Sequence, residues 1–99
     1  MNQVINLSDK LSQEKPKLEL NGKEYIVNNS FIAVTKMEEL LRDERMESAK
    51  LAVLTTMGES FLNDIDFDNM SVPNIKIIVI AITAAIQGVS YDDVAKRFQ

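Results

Sequence analysis

A chain of 99 residues has room for one domain with one core, and at this size about 60 to 70% of the surface open in the unfolded chain becomes buried. A composition of 45% hydrophobic and 26% charged residues is that of a folded globular domain and excludes disorder throughout. Cysteine and histidine are both absent, which excludes disulfides, thiolate nucleophiles and the commonest metal ligand, and removes the usual general base near neutral pH.

With 11 basic against 15 acidic residues the net charge is -4. The second half is the more acidic, setting Lys50, Lys76, Lys96 and Arg97 against Glu59, Asp64, Asp66, Asp68, Asp92 and Asp93. No basic stripe is present to neutralise phosphates, so nucleic acid is not the expected partner. Met1 to Lys10 lacks the basic start and apolar stretch of a signal peptide. The longest apolar run, Ile75 to Ile86, is interrupted by Lys76 and Thr83 and falls short of the roughly 20 residues of a membrane span. The expectation is a soluble cytoplasmic protein with no membrane partner.

Residues 1–16 show no sustained period and are expected to form a flexible arm, with Val4, Ile5 and Leu7 able to add a short strand. Residues 17–99 are expected to fold as a single domain. In Lys17 to Val27, Asn21-Gly22 stands between two alternating runs and supplies the positive φ angles of a type I′ turn. A two-residue turn pairs Leu20 with Lys23 and Leu18 with Tyr25, which places Leu18, Leu20, Tyr25 and Val27 on one face. A lone hairpin is marginal in water, so the helices that follow must cover that face.

Asn28-Asn29-Ser30 offers N-caps to a first helix carrying Val34, Met37, Leu40 and Leu41, and Thr35 to Glu38 offers a later start as a capping box. A second helix is expected from about Met46 to Asn63, with Gly58 marking a close helix contact. Asp64 to Met70 forms a connector. Ser71 caps a third helix that Gly88 ends, and Ser90 with Asp92 and Asp93 opens a fourth. The fold class is therefore α+β, mostly α: an N-terminal β-hairpin followed by about four helices.

Asp64, Asp66, Asp68 and Asn69 resemble the start of a calcium-binding loop, but the sixth position is Asn69 where glycine is needed and the twelfth is Ile75 where a bidentate glutamate belongs. A solvated acidic loop with Ile65 and Phe67 turned inward is the expectation. Glu38-Glu39 and Asp92-Asp93 are adjacent pairs that do not face each other on a helix, and no nucleophile or phosphate loop joins them. No enzymatic activity and no cofactor is expected. The methionines 37, 46, 57 and 70 read mainly as core filling, with an adaptable binding surface as the alternative.

The third helix is apolar on nearly every side, its polar positions Lys76, Thr83 and Gln87 falling near one line. Such a helix is normally buried, yet three short helices and a hairpin give limited cover. Residues three and four apart share a face, so Ile77, Ile78 and Ile82, with Ala81 and Ala85 permitting close approach, are the candidate partner-binding positions.

Leu20-Asn-Gly-Lys-Glu-Tyr-Ile-Val27 before a helix, Ala81-Ile-Thr-Ala-Ala-Ile86, and the closing Gly88-Val-Ser-Tyr-Asp-Asp-Val-Ala-Lys-Arg-Phe98 together resemble the small tail assembly chaperones of long-tailed bacteriophages and prophages of Gram-positive bacteria. The likeness spans residues 17 to 99. It implies a non-enzymatic chaperone in the host bacterial cytoplasm that holds the long helical tape-measure protein soluble and passes it to the tail-tube protein, and it leaves room for a homo-oligomer. The family has no invariant motif to transfer residue by residue. The alternative reading is a small protein-binding regulatory or antitoxin-like adaptor.

Overall fold

In the computed structural model, residues 3–11 and 14–98 are described; the expected arm and domain also include residues 1, 2, 12, 13 and 99, which lie outside them. The element order is β1 (Lys17–Leu20), β2 (Lys23–Ile26), α1 (Phe31–Arg42), α2 (Met46–Met57), α3 (Glu59–Ile65), α4 (Val72–Gln87) and α5 (Tyr91–Ala95), with 3-10 turns at Leu7–Asp9, Phe67–Asn69 and Lys96–Phe98. The chain is thus a hairpin followed by helices. Val4, Ile5 and Leu7 form no strand: residues 3–6 are irregular, Leu7–Asp9 is a 3-10 turn capped by Asn6, and residues 3–11 are all exposed. A free segment of nine residues with no partner strand has nothing to bond its backbone except water or a local turn.

The hairpin forms in the expected register, Leu18 opposite Tyr25 and Leu20 opposite Lys23. Asn21 and Gly22 carry φ angles of 52° and 83°, the left-handed pair a type I′ turn requires. Leu18, Leu20 and Tyr25 are half-buried against the main core and Val27 is fully buried within it. The Tyr25 ring meets Phe61 of α3 edge-on at 4.9 Å. Its hydroxyl and the Lys23 ammonium both donate to Asp64 Oδ2, at 2.5 and 3.0 Å, latching the hairpin to the end of α3.

Ser30, Ser71 and Ser90 each accept a backbone N–H three residues on, capping α1, α4 and α5. Helix α1 therefore starts at Phe31 and leaves the Thr35 capping box unused, so Glu38 and Glu39 sit well inside the helix. The expected second helix is two helices. Gly58, at φ 85° and ψ 168°, breaks it into α2 and α3. A Cβ at Gly58 would meet nothing within 4 Å, so the glycine serves the positive φ of the break and not a close helix contact.

One main core joins Val27, Met37, Val53, Phe61, Ile75 and Ile82 among others, and a smaller one joins Ile80 and Ala84 of α4 to Val94 of α5. Helix α4 is thus enclosed from two sides. No single helix among the described residues is long and apolar enough to cross a membrane.

Candidate functional site: an apolar groove along α4

The five candidate positions on α4 do not form one open face. Ile82 is 1% exposed and belongs to the main core, while Ile78 and Ala85 are half-buried against it. Only Ile77, at 49%, stands out into solvent, with half-buried Ala81 one turn further along the same side. Ile78 and Ile82 therefore offer no free ridge. Their ridge is covered because α2, α3 and the hairpin all pack on the Ile82 side.

The line of polar residues on α4 borders something else. Between α4 and the pair α1–α2 runs a groove made of two hollows that share Leu41 and Phe98. The first, about 380 Å³, is lined by Val34, Met37, Leu41, Thr83, Ile86 and Phe98 among others. The second, about 330 Å³, is lined by Leu41, Met46, Ala49, Val72, Ile75 and Val79 among others. Together they follow α4 from Val72 to Gln87, whose 16 residues rise about 24 Å.

The rim sets exposed apolar side chains, Val72 at 58%, Met46 at 45% and Phe98 at 42%, among the exposed charged residues Glu38, Arg42, Glu44 and Lys76. Of the methionines, Met37 and Met57 are core residues, Met70 is half-buried and Met46 lies on the groove rim. Sequence reasoning missed the groove, although the near alignment of Lys76, Thr83 and Gln87 marked the side of α4 on which it lies.

The groove's walls are fixed by local polar contacts. At the α1–α2 corner, Asp43 accepts from Arg45 Nη2 at 2.7 Å and from the buried Ser48 hydroxyl at 2.8 Å. The Arg45 and Ser48 hydrogen bonds hold the Asp43 carboxyl below its ordinary value, and Asp43 in turn raises Arg45. On the second turn of α2, outside the groove, Lys50 pairs with Asp68 at 2.8 Å.

That pair also settles the geometry of the acidic loop. Asp64 is taken by Lys23 and Tyr25, Asp66 by the Asn69 side-chain amide, and Asp68 by Lys50, so the carboxylates diverge onto separate donors. Ile65 and Phe67 between them are buried. Among the described residues no group of three or more potential ligands stands in metal-binding geometry.

Two other surfaces compare poorly with the groove. A hollow of about 490 Å³ lies between Ile26–Ser30 and Leu54–Gly58. Several of its polar groups are already engaged: Asn28 N–H donates to the Thr56 carbonyl, Asn28 Oδ1 accepts from Ser30 N–H, and the Thr56 hydroxyl donates to the Ala52 carbonyl. Phe31 and Ile32, 86% and 80% exposed on the first turn of α1, line neither this hollow nor the groove. No family model matches the chain, and no curated protein or solved structure matches it either.

Proposed function

We propose that this chain is a non-enzymatic assembly chaperone that receives one face of an amphipathic helix in the groove along α4, its client being the tape-measure protein of a phage tail. The observation that carries the reading is the groove itself: an apolar floor a little over four helical turns long, open at Val72 and Met46, walled by helices on both sides. That shape suits the helix-in-groove mode, in which anchors at i, i+3 or i+4 and i+7 enter successive hollows. The client class comes from the sequence resemblance. The net charge of -4 opposes indiscriminate self-association of the unloaded protein.

Ile77 with Ala81, on the opposite side of α4, is in this reading the contact for a tail-tube subunit or for another copy of the chain. The test is co-expression with a tape-measure candidate followed by size-exclusion chromatography. The wild-type protein should bring the client into the soluble fraction in one co-eluting complex. Val72→Glu, which places a charge at the groove mouth on a residue already 58% exposed, should fold normally and lose the complex. A client that stays insoluble with the wild-type chain, or a complex indifferent to Val72→Glu, sinks the groove reading.

A further inference from the structure

We propose that the C-terminal 3-10 turn, Lys96–Phe98, is a displaceable plug, and that Phe98 occupies the place which an apolar anchor of a client helix takes when it binds. The inference rests on the groove being the client site and adds a regulation to it. Among the described residues, Phe98 and Leu41 of α1 alone line both hollows, so Phe98 stands at their junction and divides the groove in two. A continuous helix lying along the groove would have to pass through its ring.

The attachment of the turn is light. Lys76 Nζ donates to the Phe98 carbonyl at 3.5 Å and Arg97 Nη1 donates to Gln87 Oε1 at 2.6 Å, both in exposed positions. No residue of the turn is buried. Immediately before it, Val94 of α5 is fully buried against Ile80 and Ala84 of α4. The chain is therefore anchored at Val94, and release of the next turn requires two surface side-chain hydrogen bonds, one half-covered ring and the turn's own backbone bonds, such as Lys96 N–H to the Asp92 carbonyl, to give way. The polar line of α4 has its explanation here: Lys76 and Gln87 hold the turn, and the Thr83 hydroxyl bonds back to the Val79 carbonyl at 2.9 Å.

A plug that must leave before a client enters lowers the client's apparent affinity by the fraction of time the groove is open. It also shields the apolar junction when no client is present. The cost of that protection is an affinity lower than the groove alone would give.

The test uses a synthetic three-heptad peptide with leucine at the a and d positions, titrated into the full chain. Phe98→Ala should bind it more tightly than wild type, by on the order of tenfold if the turn covers the groove nine-tenths of the time. Weaker or equal binding by Phe98→Ala overturns the plug, since Phe98 would then be part of the receiving surface or irrelevant to it. The chain has no tryptophan, so Phe98→Trp supplies a single tryptophan that can be excited at wavelengths where the two tyrosines do not absorb. Its emission should shift to the red on peptide addition as the ring leaves for water; an unchanged or blue-shifted emission contradicts displacement. Val72→Glu separates the two ideas. If it abolishes peptide binding while Phe98→Ala does nothing, the groove stands and the plug falls. If the wild-type chain and both Phe98 variants fail to bind, the groove reading and the plug fall together.

Discussion

On α4, Ile82 is 1% exposed in the core that holds Val53 and Phe61, whereas Ile77, less than two turns away, is 49% exposed. The two are chemically identical and lie roughly 140° apart around the helix, so the difference is made entirely by what packs on each side. The hairpin, α2 and α3 share the core on the Ile82 side; α5 covers Ile80 and Ala84; the C-terminal turn lies on the polar line; and the stretch at Ile77 and Ala81 is left open. A helix apolar nearly all round thus has its open side chosen by its neighbours, and not by its own pattern.

The largest expected effect tests the closed side. Ile82→Asp puts a carboxylate without a partner into the core, at a cost of several kcal/mol, which is comparable with the whole stability of a domain this small. The variant should lose its cooperative thermal transition and most of its helical circular dichroism. A folded Ile82→Asp protein would mean that the hairpin side of α4 opens readily and that the two sides differ less than their burial suggests.

A smaller effect tests the latch that keeps the hairpin over that side. The Tyr25 hydroxyl, and then Lys23, hold the Asp64 carboxyl below its ordinary value. A carboxyl lowered in the folded state contributes stability that is fully present above its unfolded pKa and is lost as pH falls through the folded one. Lys23 and Tyr25 are both raised, chiefly by their hydrogen bonds to Asp64, so their share is present below their unfolded values and lost as pH rises through the folded ones. The melting temperature should therefore decline on both flanks, and Asp64→Asn should remove the acid-side part. The gap between wild type and Asp64→Asn should be widest near neutrality and close as pH falls below the carboxylate range. A gap that persists unchanged into acid would show that the latch is not ionic.

Much of this was legible in the residues alone. The hairpin and its register follow from Asn21-Gly22 between alternating runs, and the helix starts at Ser30, Ser71 and Ser90 from their hydroxyls. Gly88 ends α4 at φ 67°, as its place after the apolar run requires. These are local devices, each acting within a few residues. The break at Gly58 was harder to read, because a glycine inside a helical period fits a kink, a contact or a tolerated cost equally well, and its φ of 85° is set by where α3 must go to bring Phe61 under Tyr25. The groove was not legible. Nothing in the sequence of α4 says which of its apolar sides meets α1, and the position of Phe98 depends on contacts with Lys76 and Gln87 made across 22 and 10 residues.

The smallest expected effect belongs to the open side. Ile77→Asp replaces a half-exposed side chain that belongs to neither core cluster, so the charge keeps its hydration and the apolar area lost to the fold is slight. The change in stability should stay within about 0.5 kcal/mol, the range of surface substitutions remote from special features. It should also leave peptide binding in the groove untouched, because Ile77 lines neither hollow. If Ile77 and Ala81 meet a tail-tube subunit or another copy, that contact alone should fail, seen as a lower mass in sedimentation or a lost tail-tube complex at unchanged melting temperature. A large fall in melting temperature would instead place Ile77 among the residues that α4 needs to fold. The distinction between a closed and an open side would then have to be redrawn around Ala81.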